Sequence, residues 1–429
     1  MSDTRSKLEY LYGLSRFGIK TNLTNITELC FFLGDPQDSY PIIHIAGTNG
    51  KGSTAAMLHS ILTDAGYRCG LYTSPHLVQF GERIRINDEK LTDEAAADII
   101  DELGPAFTKT EATFFEATTA MAFLHFQRCS VDIAVIEAGL GGSWDATNII
   151  KPMMCLFTPI SLDHTDRLGN SPGVIAEDKS GIIKPGSVVI SAKQSEEVLQ
   201  PISRRAESLG CKMMYAPDII DVVEGNVNFD HSAVKLNCRE NSEYSGGYHI
   251  PLPGRHQWDN VSAVVTAAAE LNKKDFPISG ENFKRGLERV FWPGRLQIIR
   301  DKPLTYYDVA HNPAAAMVVK EFFQEVFPGK KLKALFGIVR DKDIAGVMKN
   351  LSPVISQMII TGLPIDRSAD PAQISQSADD FGIRHSLIED SFTAVEVFHD
   401  SCSGDDICLI TGSHYLGEPV MKKYLTYLK

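Results

Sequence analysis

The chain has 429 residues, 43% apolar and 22% charged, which excludes a disordered or fibrous protein and, by length, favours two compact cores over one. Its 54 acidic and 42 basic residues leave a net charge of −12, and no basic run exceeds a pair such as Lys330-Lys331. Nucleic acid is therefore excluded as a partner, although local cations and helix N-termini can still hold a small anion.

The opening residues, MSDTRSKLEYLYGL, contain no apolar signal core, and nowhere do some ~18 uncharged apolar residues run together, so a cytoplasmic chain without a membrane partner is expected. Eight dispersed cysteines without CxxC spacing read as reduced, buried thiols. From Pro41 onward, apolar runs alternate with helical patterns. PIIHIA predicts a strand, Thr54 to Ala65 a helix with Met57, Leu58, Ile61 and Leu62 on one face, and Cys69 to Thr73 another strand. Further strands are predicted at 132–137, 153–159 and 188–191, with helices at 114–127 and 173–182.

Residues 218–249 are shorter in period and polar-interrupted, which predicts a small antiparallel extension. Helices at 260–271 and 281–290 follow, then Pro293-Gly294 interrupts the pattern. Strand-like LTYYDV, KLKALFGIV, QMIITG and DICLITG alternate with helical runs beyond it. The expected fold is α/β: residues 1–292 form a P-loop domain with a doubly wound, mostly parallel sheet, and 293–429 a smaller Rossmann-like α/β domain.

The strongest local signal is His44-Ile-Ala-Gly-Thr-Asn-Gly-Lys-Gly-Ser-Thr54 between a strand and a helix. Glycines let backbone amides turn inward around phosphates, Lys51 adds a point charge, and a following hydroxyl can reach magnesium. It departs from GxxxxGK[ST], because Ile45 takes the first glycine position and Gly52 follows the lysine. Gly47, Thr48, Asn49, Gly50, Lys51, Gly52, Ser53 and Thr54 are the expected nucleotide cradle. Glu137 closes an apolar strand at a Gly-rich turn, where a carboxylate can meet magnesium, or else simply face solvent.

GTNGKGST with Thr-Ser-Pro-His-Leu at 73–77 resembles the Mur ligase superfamily, and within it the folylpolyglutamate synthase/dihydrofolate synthase family. Ordered blocks extend the resemblance: Glu82-Arg83, Phe-Phe-Glu at 114–116, EAGLGG at 137–142, DATN at 145–148, Asp163-His-Thr, AEDKSGIIKP at 176–185, GRHQWDN at 254–260, WPGR at 292–295, DVAHNP at 308–313 and TGSHYLG at 411–417.

The resemblance implies an ATP-dependent ligase that adds L-glutamate to dihydropteroate and to reduced folates through an acyl phosphate, acting as a monomer. It implies Ser74 and Glu137 at one magnesium ion and His164 at a second, oriented by Lys179 carbamylated with carbon dioxide. Asn260, Arg295 and Asp308 are then expected at the nucleotide, and His311, with Lys51 and Lys179, near the reacting centre. Arg83, Phe115, Asp145, Ala146 and Asn148 are expected at the pterin-bearing substrate. Two rivals stay open: a peptidoglycan-precursor ligase, and a non-catalytic nucleotide switch that would use the loop alone.

Overall fold

The computed structural model describes residues 2–18 and 20–424. Three sheets organise them. The first contains β1 (Ile42–Ala46), β2 (Cys69–Tyr72), β3 (Ile84–Ile86), β4 (Glu89–Lys90), β5 (Ile133–Glu137), β6 (Met154–Phe157), β7 (Val188–Ser191) and β8 (Met213–Tyr215). Its order is β4-β3-β2-β5-β1-β6-β7-β8, parallel except for β3 and β4. Every residue of β1 and β5 is buried, as a parallel strand covered on both faces requires.

One face packs on helices Lys51–Asp64 and His256–Leu271, the other on helices Thr24–Phe32, Asp93–Thr110 and Phe114–Arg128. The parallel strands end their C-termini along one edge. Loops after β1, β2, β5 and β6 therefore meet there, the position where open α/β sheets bind ligands. The expected extension is a separate antiparallel sheet of β9 (Ile220–Val227), β10 (Ser232–Cys238) and β11 (Gly246–Ile250).

The third sheet has the order β12-β13-β17-β14-β15-β16, formed by β12 (Gln297–Arg300), β13 (Leu304–Tyr307), β14 (Leu332–Phe336), β15 (Ile355–Ile360), β16 (Arg384–Leu387) and β17 (Ile407–Thr411). Only β12 runs antiparallel. Helices Pro313–Val326, Ile344–Leu351, Pro371–Asp380 and Ser391–Ser401 supply its crossovers.

Three sequence expectations change. The loop helix begins at Lys51, not Thr54, because Gly50 at φ +87° turns the chain and makes Lys51 to Thr54 the first turn. The helix expected from Asn260 begins at His256. Six of the eight cysteines are buried, while Cys129 and Cys211 are half-buried. Among the described residues no helix is long and apolar enough to cross a membrane.

Candidate active site

A cleft of about 330 Å³ lies between the first and third sheets. Its first wall is the loop Gly47 to Ser53. A Cβ on Gly47, at φ +155°, would stand 1.9 Å from Thr158 Oγ1, and one on Gly50 would stand 2.7 Å from Asn260 Oδ1. On Gly52 it would meet the Trp292 indole at 2.7 Å. The glycine after the lysine is thus where the chain from the third sheet's hinge lies on the loop. Thr48 and Asn49 amides bond to Pro159 O at 3.0 and 3.2 Å, which fixes the loop against the end of β6. The amides of Lys51, Gly52 and Ser53 precede the first bond of the helix, Thr54 N to Gly50 O at 2.9 Å, and these three residues line the cleft.

Lys51 Nζ lies 4.0 Å from Glu137 Oε1, and Glu137 Oε2 accepts a hydrogen bond from Ser74 N at 3.3 Å. Burial pushes the Glu137 carboxyl up, against the pull of Lys51. The Gly-rich turn after β5 lets helix Pro172–Ser180 approach: a Cβ on Gly142 would stand 2.6 Å from Lys179 O. That contact carries Lys179 into the cleft wall, where it is buried without a hydrogen-bond or ion-pair partner among the described residues. Burial, then Lys51, pushes its amine down to about 7.

The opposite wall comes from the third sheet. Burial raises the Asp308 carboxyl, whose oxygens accept from Leu296 N and Ala310 N, both at 2.8 Å. These bonds hold the turn that carries Arg295 into the cleft, with Leu296 at φ +46°. Three side chains from this wall then converge on Asp163 of the first. Lys342 Nζ donates to Asp163 Oδ1 at 2.6 Å, Asn312 Nδ2 donates to Oδ2 at 3.3 Å, and His311 Nε2 lies 3.7 Å from Oδ2. Burial opposes ionisation of Asp163, yet the nearby His311 imidazole and the Lys342 charge hold its carboxyl below the usual range.

His164 follows in a left-handed conformation, φ +51° and ψ +40°, and its Nε2 sits 3.2 Å from Lys342 Nζ. Burial lowers its pKa to about 4, so the ring is a neutral acceptor at pH 7. Ser74, whose amide bonds the Glu137 carboxylate, and Glu137 both line the cleft, and His164 turns a lone pair toward the Lys342 ammonium. This donor chemistry fits a hard divalent ion completed by phosphate and water, although no group of three or more His, Cys, Asp or Glu converges among the described residues.

Two family models match the chain: the Mur ligase middle domain over residues 45–268 and the Mur ligase glutamate ligase domain over 294–414. A dihydrofolate synthase/folylpolyglutamate synthase of Bacillus subtilis is 31% identical, covering 98% of each chain. The chain belongs to this branch of the Mur ligases. Among solved structures, Mycobacterium tuberculosis folylpolyglutamate synthase complexed with ADP superposes with a TM-score of 0.91 at 30% identity, over 98% of this chain and 99% of that one. Escherichia coli FolC in complex with DHPP and ADP gives 0.87 at 28% identity, over 98% of each.

In this Mur ligase the cleft gathers Gly47 to Ser53, Ser74, Glu137, His164, Lys179, Arg295, Asp308 and His311. Thr54 and Asn260 stand behind the loop: Thr54 N bonds Gly50 O at 2.9 Å, and Asn260 packs on Gly50. The residues expected at the substrate lie outside the cleft lining. Phe115 packs on Gly139 and Tyr72. Asp145 caps its turn through Thr147 N at 3.0 Å and accepts from Leu140 N at 2.8 Å, Ala146 is core, and Asn148 ties Ser143 O to Gly181 O. Arg83 is buried, donates to His76 Nδ1 at 2.7 Å and lies 5.0 Å over Phe114.

Lys342, Asn312, His256 and His414 line or brace this cleft without having been singled out. Lys342 sits in RDKD, outside every block that carries the resemblance. Asp163, His256, Asn312 and His414 fell within recognised blocks but carried no assigned task.

Proposed function

We propose that this Mur ligase joins the amine of L-glutamate to the carboxylate of dihydropteroate, and of folyl-glutamates, at the expense of ATP. The observation that carries the reading is the two-walled cleft. The loop and Lys51 face Arg295 and His311, with a buried carboxylate, Glu137, 4.0 Å from the lysine. A nucleotide switch would need only the first wall. The relatives' names, and the ADP and DHPP bound to the structures resembling it, support the substrates.

In the reaction the substrate carboxylate attacks the γ-phosphorus of ATP, the bond to the β,γ-bridging oxygen breaks, and ADP leaves. The glutamate amine then attacks the acyl carbon, loses its proton, and expels phosphate. Lys51, Arg295 and the helix amides spread the negative charge that moves through these steps, so catalysis is mainly positioning and electrostatics. Ser74 and Glu137 would hold one magnesium ion and His164 a second, and these ions supply further charge neutralisation at the phosphates.

Lys179 is a buried, partnerless amine pushed down to about 7, so a large share of it is the unprotonated form that adds to carbon dioxide; its carbamate would orient the second ion. Arg83, Phe115, Asp145, Ala146 and Asn148 would shape the pterin end, and Asn260 and Asp308 the nucleotide end. Residues 1–292 and 293–429 would close on the substrates as two bodies of a monomer, shielding the acyl phosphate from water.

Glutamate-dependent ADP release should appear with dihydropteroate and with tetrahydrofolate, and not with a UDP-muramoyl peptide. Release with none of the three would defeat the ligase reading, and release with the last alone would move the substrate to cell-wall precursors.

A further inference from the structure

Lys342 is an unexpected occupant of this cleft. Its side chain is only 6% exposed, and its ammonium lies 2.6 Å from Asp163 Oδ1 and 3.2 Å from His164 Nε2. It arrives from the wall opposite both. Its loop is held by the Val339–Ser368 bridge, by Arg340 N on Arg367 O at 3.0 Å, and by Asp343, which caps helix Ile344–Leu351 through Gly346 N at 2.8 Å. The lysine therefore travels with the third sheet and has little freedom to retreat alone.

An imidazole nitrogen that accepts from an ammonium uses the lone pair it would give to a metal. Two cations also repel strongly at ion-pair separations where water is largely excluded. We infer that the Lys342 ammonium stands in the place of the second cation beside Asp163 and His164, so that lysine and divalent ion are alternative occupants. This rests on the proposed ligand role of His164. Nucleotide and its ion, seated between the walls, hold them further apart than here, which withdraws the ammonium and leaves the position to the ion. Closure without an ion refills it and leaves no bare carboxylate at Asp163. The second ion's affinity is thereby tied to the relative position of the walls, whereas the ion at Ser74 and Glu137 is not.

The test is a Mn2+ titration of the full chain with saturating AMPPCP, followed by electron paramagnetic resonance. The wild type should bind one ion tightly and a second weakly. Lys342→Met should tighten the second at least tenfold, and Lys342→Arg, which keeps the charge, should match the wild type. Equal second-ion affinity in Lys342→Met and wild type would overturn the inference. If circular dichroism finds Lys342→Met unfolded, Lys342→Gln is read by the same criterion. His164→Ala added to Lys342→Met separates the failures. Retention of both ions there would remove His164 as a ligand and the reading beneath the inference. Loss of the second ion there, with no tightening in Lys342→Met, would remove the lysine inference alone.

Discussion

Two of the contacts between the walls of the molecule have opposite chemistry. At the cleft, Asp163 meets Lys342, Asn312 and His311, and Asn49 exchanges hydrogen bonds with Asn312 at 3.0 and 3.3 Å. At the back, Trp258 packs against both the first core and the third-sheet core, Val227 of β9 joins the latter, and Tyr306 donates to Phe229 O at 2.7 Å. Phosphates, ions and water can replace the polar partners of the first contact. Nothing in solution replaces the apolar burial of the second. The difference assigns the cleft contact to ligand-dependent rearrangement and the back contact to a lasting pivot.

The sharpest test of the cleft side is Lys51→Met, which should cut glutamate-dependent ADP release by about 100- to 1000-fold, the usual scale for a lost charge-stabilising group, while circular dichroism stays unchanged. Asp163→Asn removes the charge facing Lys342 and should lower unfolding free energy by about 3 kcal/mol in denaturant titration, because a buried ammonium is left unpaired. A loss under about 0.5 kcal/mol would mean the cleft contact carries no stability.

Trp258→Ala tests the pivot. It should cost about 2–3 kcal/mol by the same measurement and loosen the two walls whether or not nucleotide is bound. Nucleotide that fully restores a closed scattering profile would break the comparison.

Lys179→Met has a sign that depends on pH. Its amine has a folded pKa of about 7 against the ordinary value of 10.5, so between those values the unfolded chain binds more protons. The wild type therefore gains stability as pH rises through that window, and its burial cost is complete below about 7. Methionine should stabilise the protein by at least about 1 kcal/mol at pH 6 in carbon dioxide-free buffer, with the gain shrinking toward pH 10. The smallest effect is expected from Arg255→Ala, which breaks an ion pair with Glu325 at 2.7 Å where the arginine side chain is 62% exposed; thermal unfolding should register under about 1 kcal/mol.

Much of the cleft's first wall was legible in the sequence because its signals are local. The strand, the glycines and Lys51 lie within about a dozen residues, and a strand-loop-helix segment has few ways to present backbone amides. The helix start was misread by three residues because Lys51, Gly52 and Ser53 carry no hydrophobic periodicity, and only the left-handed turn at Gly50 sets it. Glu137 could be suspected, since it ends an apolar run. Lys179 could be named only by resemblance, because a helix of low amphipathicity gives no sign that one lysine faces inward.

The sequence by itself thus determined the α/β alternation, the loop and the family, all carried by short-range pattern. Tertiary structure alone decided that Lys179 is buried with its amine pushed down to about 7, that Trp292 requires the glycine at position 52, and that Asp163 meets Lys342 across 179 residues of chain. Burial and charge pairing are properties of neighbours in space, and no local period records which distant segment will supply them.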